Sequence, residues 1–283
     1  MNSALLWFSA ARPYSFPASL APVILGLSYS YQSQHTINWT VAILTLIAAL
    51  MLQVAANLYN DYFDWINKID TDARLGFHRL SSFPQINPRH VLWAGHFSAM
   101  IALIAGSYLI FIGGIPILIV GVLCIIFSYL YTAGPYPLAY HGLGEIAVIL
   151  FFGIVPVAGS YYLQTLAVTP EIIIRGFAPG FISAAIMAIN NYRDRETDQQ
   201  TEKKTIANHL PKWVAASFPI LLVLFGLISS YHWINILLLV MYLPVMKEVF
   251  YPKDELDHNR ALKHTGQFLL VFAIVHSLLA IFL

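Results

Sequence analysis

Charged residues are scarce in this chain of 283 residues. Only 10% are Asp, Glu, Lys or Arg and 58% are hydrophobic, whereas a soluble protein carries about 25% charged residues. This shortage argues against an ordinary soluble domain. The formal net charge of +1 and the lack of a large basic patch in the sequence argue against nucleic-acid binding.

Cysteine is almost absent. Cys124 is the single cysteine, so no disulfide can form within the chain. It lies in the apolar run IPILIVGVLCIIFSYLY and is expected to be a small buried hydrophobic residue.

Long apolar runs are what the sequence has in abundance, and they alternate with short polar clusters. A bilayer core requires about 20 apolar residues per helix. The pattern predicts an all-α, multi-spanning transmembrane helical bundle that forms one domain over residues 1–283. The nine predicted membrane-spanning helices are 14–32, 39–63, 90–112, 115–132, 145–165, 170–192, 212–231, 233–250 and 265–283. Gly113, Gly114 and Pro116 predict a tight turn between the third and fourth.

Lysine and arginine predict the orientation. With nine spans, one side of the membrane receives the N-terminus and the loops after the even-numbered spans. That side contains every Lys and Arg except Arg175, out of 15, and every Asp and Glu except Glu171, out of 14. Because positive residues accumulate on the cytoplasmic side, we predict a multi-pass protein of a bacterial-type inner membrane whose polar face lies in the cytoplasm.

The first acidic cluster is NLYNDYFDWINKIDTD at residues 57–72. Asn57, Asp61 and Asp64 fall at i, i+4 and i+7, which places them on one helix face. Asn60 lies four residues before Asp64, and Asp70 follows in the loop.

The second cluster, NNYRDRETD at 190–198, repeats the pattern Asn-x-x-x-Asp. Asn190, Asp194 and Asp198 fall at i, i+4 and i+8, again on one face. The two clusters end the second and sixth predicted spans, which is weak evidence for an internal repeat.

Acids at a helix C-terminus are destabilising by roughly 0.3–1 kcal/mol each, because the helix dipole is negative there. A divalent cation removes this penalty, and Mg²⁺ commonly bridges one or two carboxylates to substrate phosphates. We therefore predict a site for Mg²⁺ and a diphosphate between the clusters. Nearby cations suited to phosphate are Arg74, Arg79, Arg193, Lys203 and Lys204. The alternatives are solvated acids in cytoplasmic loops, and basic residues present only for topology.

Several residues beside the fourth and fifth spans have two interpretations. Tyr129, Tyr131, Tyr136 and Tyr140 are expected to form an interfacial aromatic belt; the alternative is cation–π contact with a carbocation. Glu145 begins a span, where simple helix capping accounts for a carboxylate.

At these motifs the chain resembles the UbiA superfamily of intramembrane prenyltransferases. Within it, the chain is most similar to the branch of 1,4-dihydroxy-2-naphthoate polyprenyltransferases of menaquinone biosynthesis. Three further stretches carry the likeness to that branch: ARPYSFPASLAPVILG at 11–26, YTAGPYPLAYHGLGEIAVILFFGIVPVAGSYYLQT at 131–165, and NNYRDRETDQQTEKKT at 190–205.

The resemblance implies Mg²⁺-dependent transfer of a polyprenyl group from polyprenyl diphosphate to an aromatic acceptor in the membrane, with release of diphosphate. It implies catalytic roles for Asp61, Asp64, Asp194 and Asp198. It implies Mg²⁺ ligands among Asn57, Asn60, Asp61, Asp64, Asn190, Asp194 and Asp198, and diphosphate binding by Arg74, Arg79, Arg193, Lys203 and Asp70.

Two other activities remain open. A terpene cyclase would use the same diphosphate ionisation without an aromatic acceptor, and would form a cyclised hydrocarbon. A transporter gains some support from the possible repeat, although transporter sites usually lie near the bilayer midplane and these acids lie at one face.

Overall fold

The chain forms a bundle of helices. A computed structural model describes residues 3–67, 86–199, 203–254 and 256–283. Within those ranges the all-α prediction is confirmed, and the only β-type contact is an isolated bridge between His141 and Lys204. The α-helices, numbered α1 to α13, are Ser3–Ala10, Phe16–Gln34, Trp39–Ile66, Pro88–Leu130, Gly144–Ile149, Val155–Thr165, Pro170–Arg175, Phe177–Arg193, Arg195–Asp198, Ile206–His209, Lys212–Ser229, Asn235–Phe250 and Asp257–Phe282. Short 3₁₀-helices lie at Pro13–Ser15 and Leu138–Tyr140, and a π-helical segment, Leu150–Ile154, joins α5 to α6.

Each of the nine predicted spans falls on helical chain. Six helical runs in the described ranges are long and apolar enough to cross a membrane: Trp39–Ile66, Pro88–Leu130, Gly144–Thr165, Pro170–Arg193, Lys212–Ser229 and Asp257–Phe282. The helix α4 counts once although it contains two predicted spans, and α2 and α12 are not among the six. The count of nine membrane-spanning helices therefore stays a prediction.

The predicted turn between the third and fourth spans lies inside α4. Gly114 has φ 67° and ψ −152° there, a left-handed conformation that glycine adopts without steric cost. His96 of the arm before Gly114 stacks on Tyr129 of the arm after it, with ring centroids 6.5 Å apart. The two arms therefore lie side by side and run antiparallel.

The helix α8 lies at the centre of the bundle. The most apolar part of the Pro170–Arg193 run is 61% buried, compared with 17% for α4. Ile182 and Ile189 of α8 are fully buried in one core cluster with Leu25 of α2, Val223 of α11 and Phe272 of α13. The second acidic cluster thus lies at the end of the most buried of the six apolar runs.

Glycines bring the chain around α5 close to α8. A Cβ atom on Gly180 would lie 2.8 Å from the backbone oxygen of Ile149, and one on Gly153 would collide with the backbone of Gly180. This close approach is consistent with packing by small residues between membrane helices. It aligns the start of α5 with the end of α8.

The outer surface is apolar. Trp93, Phe111 and Ile236 are 68%, 83% and 70% exposed, and many other large hydrophobic side chains share this surface. Soluble monomers rarely expose an apolar surface of this extent. Together with the six apolar runs, it identifies a multi-pass membrane protein.

Candidate active site

All four aspartates expected to be catalytic are buried. Asp61 and Asp64, in the last turns of α3, are 2% and 5% exposed, and Asp194 and Asp198, after α8, are 2% and 4% exposed. The alternative of solvated loop acids is wrong for these four residues. Burying a carboxylate is costly unless it has hydrogen-bond or ionic partners, so the surroundings of each acid matter.

The asparagines of the first cluster connect α3 to neighbouring chain. Asn57 donates from Nδ2 to the Ala11 oxygen at 2.9 Å and to Ser15 Oγ at 3.1 Å. Asn60 accepts at Oδ1 from the Thr132 hydroxyl at 2.8 Å. These bonds join the end of α3 to the chain before α2 and to the chain after α4.

Asp64 has a partner that sequence reasoning did not assign to the site. The Tyr140 hydroxyl donates to Asp64 Oδ1 at 2.7 Å, and Tyr140 is 8% exposed. The backbone oxygen of Tyr140 accepts from Lys204 N at 2.9 Å. The expected aromatic belt is therefore wrong for Tyr140, whereas Tyr136 is 60% exposed and stacks on His141 with ring centroids 3.5 Å apart.

In the second cluster, Arg193 binds Asp194 with two hydrogen bonds. Nε donates to Oδ1 at 2.7 Å and Nη2 to Oδ2 at 2.8 Å, the fork geometry typical of strong arginine–carboxylate pairs. The same guanidinium donates to Asn190 Oδ1 at 2.9 Å and to Asn259 Oδ1 at 2.8 Å. Arg193 thereby links the end of α8 to the start of α13.

The fourth aspartate, Asp198, forms an ion pair with Lys203, with Nζ 3.0 Å from Oδ2. Both side chains are nearly buried, at 5% and 10% exposed. Because Lys204 bonds to Tyr140 and Tyr140 bonds to Asp64, a continuous chain of contacts runs from one acidic cluster to the other. The structure thus brings together the two clusters that the sequence separates by more than a hundred residues.

A cavity of about 370 Å³ opens between the clusters. Its polar end is lined by Arg12, Ser15, Asn57, Asn60, Asp64, Tyr140, Asn190, Asn191, Arg193 and Lys203. Its remaining walls are mainly apolar, and Cys124 is among their residues. On α3 the lining runs from Asp64 back to Thr45, which at 1.5 Å per residue is about 28 Å. That length is close to the thickness of a bilayer core, about 30 Å.

The far end of the cavity is closed by apolar residues from different helices. Leu109 and Ile117, from the two arms of α4, and Leu163 of α6 line it. They pack with Val41 in one buried cluster. The cavity thus joins a charged end to a long apolar interior, an arrangement suited to an amphiphile with a charged head and a hydrocarbon tail.

Some predicted site residues lie outside the described ranges. Asp70, Arg74 and Arg79 fall in 68–85, which the structure does not describe, so their predicted roles stay predictions. Among the residues that are described, no three His, Cys, Asp or Glu side chains are grouped closely enough to bind a metal ion by themselves.

The site also contains a buried pair that the sequence did not reveal. Asn191 Nδ2 donates to Glu145 Oε1 at 2.9 Å, and the two residues are 4% and 3% exposed. The interpretation of Glu145 as a simple helix cap is incomplete, because its side chain bonds to another helix. The sequence contained one signal for this pair. Glu145 stands at the start of a predicted span, which is an unusual site for a buried acid.

The fold and the site define a membrane-embedded helical protein with an acidic, arginine- and lysine-containing end above a long apolar cavity. The profile of the UbiA prenyltransferase family matches residues 19–277. The chain belongs to this family, and the resemblance seen in its motifs is confirmed.

Individual relatives agree with this assignment. A protein of Mycobacterium leprae (strain TN) named 1,4-dihydroxy-2-naphthoate octaprenyltransferase is 32% identical over 282 residues, covering 97% of this chain and 95% of the relative. The Escherichia coli (strain K12) protein of the same name is 31% identical over 268 residues, covering 89% and 86%. A UbiA homolog from Archaeoglobus fulgidus, solved bound to DMAPP and Mg²⁺, aligns with a TM-score of 0.64 over 97% of this chain and 98% of that chain. At 16% identity, that likeness shows a shared fold.

Proposed function

We propose that the chain, as one domain over residues 1–283, transfers a polyprenyl group from polyprenyl diphosphate to 1,4-dihydroxy-2-naphthoate and releases diphosphate. The observation that carries the proposal is the convergence of two buried aspartate clusters, each joined to a cation or a hydroxyl donor, at one end of a long apolar cavity. The names of the relatives support the acceptor. The ligands of the A. fulgidus homolog support a prenyl diphosphate and Mg²⁺.

In this proposal the donor lies with its diphosphate between the clusters and its hydrocarbon tail along the apolar walls. Arg193 and Lys203 line the cavity and exchange part of their carboxylate contacts for phosphate oxygens. Arg74, Arg79 and Asp70 are proposed to complete the diphosphate site. A tail surrounded by Leu109, Ile117 and Leu163 gains van der Waals contacts with these walls.

The donor set suits Mg²⁺. Hard oxygen ligands are present in Asn57, Asn60, Asp61, Asp64, Asn190, Asp194 and Asp198, and Mg²⁺ is typically bound by one or two carboxylates together with substrate phosphates. The lack of a three-carboxylate group among the described residues agrees with such substrate-bridged binding. When bound, Mg²⁺ stabilises negative charge on the departing diphosphate.

The reaction that the site supports is a substitution at the allylic carbon. The bond from that carbon to the diphosphate oxygen breaks, and the electron pair leaves with the diphosphate. A ring carbon of the acceptor supplies the electron pair of the new carbon–carbon bond, and the ring then releases a proton, or carbon dioxide if the carboxylate-bearing carbon is attacked. Arg193 and Lys203 stabilise the leaving charge electrostatically, and the apolar walls exclude the water that would quench a cationic carbon.

We also propose that the acidic end faces the cytoplasm in a bacterial-type inner membrane. The distribution of Lys and Arg supports this orientation. The test uses the variant Lys253→Cys, since Lys253 is exposed. A membrane-impermeant maleimide is added to right-side-out vesicles and to inverted vesicles that contain it. Labelling from the external face of right-side-out vesicles would contradict the proposal.

The activity is tested with membranes containing the protein, Mg²⁺, a radiolabelled polyprenyl diphosphate and 1,4-dihydroxy-2-naphthoate. We expect a prenylated naphthoquinol that disappears in Asp61→Asn and in Asp194→Asn. Asp254→Asn is the matched control, because Asp254 is about half exposed and pairs with Arg260 away from the cavity. Mg²⁺-dependent formation of a cyclised hydrocarbon, without acceptor, would replace the proposal with a terpene cyclase.

A further inference from the structure

The pair formed by Asn191 of α8 and Glu145 of α5 lies beside the cavity. We propose that Asn191, oriented by Glu145, accepts a hydrogen bond from a hydroxyl group of the aromatic acceptor. Asn191 is then a substrate-binding residue, and Glu145 is a positioning residue that acts through it. The inference rests on the proposed function, since it names the groups that recognise its acceptor.

The partner of Asn191 determines which way its amide points. A carboxylate oxygen accepts hydrogen bonds, so Asn191 presents its Nδ2 group to Glu145 Oε1, at 2.9 Å. The amide oxygen is thereby turned away from Glu145. Asn191 lines the cavity, and no hydrogen bond within the described part of the chain reaches its Oδ1 atom. A buried amide oxygen at a cavity wall is thus available to a ligand.

Glu145 itself is not among the residues that line the cavity. Its Oε2 atom is buried and has no hydrogen-bond partner among the residues that the structure describes. Buried polar atoms are normally hydrogen-bonded, and an exception requires an explanation. At the cavity wall the pair therefore presents the Asn191 amide oxygen as an acceptor, and a ligand hydroxyl supplies the donor that it needs.

The neighbouring wall favours a flat ring. Phe127 and Phe151 both line the cavity, and their rings stack 4.0 Å apart with 15° between the planes. Phe127 also contacts Tyr131, with ring centroids 5.5 Å apart, and the Tyr131 hydroxyl reaches Met187 Sδ at 3.4 Å. Met187 lies one helical turn before Asn191, on the same face of α8. Aromatic side chains in the same wall as an open hydrogen-bond acceptor match a hydroxylated aromatic compound.

The position has a chemical consequence. Asn190, Asn191 and Arg193 line the same cavity, so a ring held at Asn191 shares that cavity with the departing diphosphate. A hydroxyl that donates a hydrogen bond makes its oxygen, and the ring carbons ortho and para to it, more electron-rich. Recognition of the acceptor and activation of its ring thus come from the same contact.

The test measures binding of 1,4-dihydroxy-2-naphthoate and of two analogues that each lack one hydroxyl, 1-hydroxy-2-naphthoate and 4-hydroxy-2-naphthoate. Equilibrium dialysis against the purified full-length protein gives each Kd. In the wild type we expect one analogue to bind about tenfold more weakly than 1,4-dihydroxy-2-naphthoate, because it lacks the hydroxyl that donates to Asn191 and so loses one buried hydrogen bond. In Asn191→Ala this preference should disappear. Equal preference in wild type and Asn191→Ala would overturn the inference.

The double substitution separates positioning from general damage. Glu145→Gln should reduce the preference for the hydroxyl, because glutamine lets the Asn191 amide adopt either orientation. In the Asn191→Ala background the same change should have no further effect on acceptor Kd, since residues that act through one another are not additive. Additive losses would overturn the role of Glu145. Asn235→Ala is the control, because Asn235 is a buried asparagine bonded to the Leu227 oxygen at 2.7 Å and is not among the residues that line the cavity.

The activity assay keeps the two proposals distinguishable. For Asn191→Ala we expect KM to rise about tenfold for the acceptor and to stay unchanged for the polyprenyl diphosphate. An equal rise in both KM values would show a structural role and overturn the inference, while leaving the proposed function intact. If the wild type formed no prenylated product, the proposed function would fail, and the dialysis result would still decide whether Asn191 recognises the hydroxyl.

Discussion

Tyr140→Phe removes one hydroxyl group, which donates to Asp64 and also accepts from Asn67 Nδ2 at 3.4 Å. The Tyr140 hydroxyl donates to Asp64 Oδ1 at 2.7 Å, and both residues are buried. The ring remains in place, and the backbone oxygen that bonds to Lys204 is unaffected. The substitution therefore changes the orientation and the electrostatic surroundings of Asp64 while leaving the polypeptide path intact.

The magnitude follows from the charge of the acceptor. A hydrogen bond to a charged group contributes about 1.5–3 kcal/mol, which corresponds to a factor of about 10 to 150 in an equilibrium constant. Removal of a group that hydrogen-bonds to a metal-binding side chain typically lowers metal affinity by about 10–100-fold. If Asp64 contacts Mg²⁺, we expect the Mg²⁺ concentration for half-maximal rate to rise by a factor in this range.

The assay is the initial rate as a function of Mg²⁺ concentration, with both substrates saturating. We expect Tyr140→Phe to need more Mg²⁺ and to recover most of its rate at high Mg²⁺. Tyr136→Phe is the control, since the Tyr136 side chain is exposed. An unchanged Mg²⁺ dependence in Tyr140→Phe would refute the claim that this hydrogen bond positions a metal-binding carboxylate.

Three further substitutions test other parts of the structure. Lys203→Ala breaks the buried ion pair with Asp198, and the loss of one partner of such a pair costs about 3–5 kcal/mol. We expect a markedly lower thermal midpoint in detergent and a higher KM for the polyprenyl diphosphate, with Lys203→Arg closer to wild type. Gly159→Phe places a ring in the cavity, because nothing lies within 4 Å of a Cβ at Gly159; rates measured with donors of increasing length should fall for long chains and persist for short ones, and a uniform fall would contradict this. Gly26→Val forces a side chain against Ser160 where α2 meets α6, and overpacking of about 1–3 kcal/mol should lower the thermal midpoint, whereas an unchanged midpoint would show that the two helices separate at little cost.

The helices were predictable because their signals are local. Apolar run length indicates a span, and each predicted span falls on a helix. The turn at Gly114 was predictable for the same reason: two glycines and a proline within four residues favour a break in a helix, and Gly114 has a left-handed conformation. Asn57, Asp61 and Asp64 share a face because helical periodicity requires it.

Contacts between distant segments were not predictable from such signals. Tyr140 and Asp64 are 76 residues apart, and Asn191 and Glu145 are 46 apart. The tyrosine resembled other interfacial tyrosines in its sequence surroundings, and only the bend of the chain after α4 places its hydroxyl on Asp64. The sequence likewise did not distinguish a solvated aspartate from a buried one, because burial of these acids depends on which helices pack around them.

The amino-acid sequence alone indicated that this protein lies in a membrane, that it is helical, and which helix faces carry its acids. These properties depend on composition and on spacing within one helix. The tertiary structure decided that the two acidic clusters meet at one cavity, that Arg193 and Lys203 neutralise Asp194 and Asp198, and that Glu145 orients Asn191. Each of these depends on how helices distant in the chain pack together, because a hydrogen bond or ion pair forms only when that packing brings its atoms to about 3 Å.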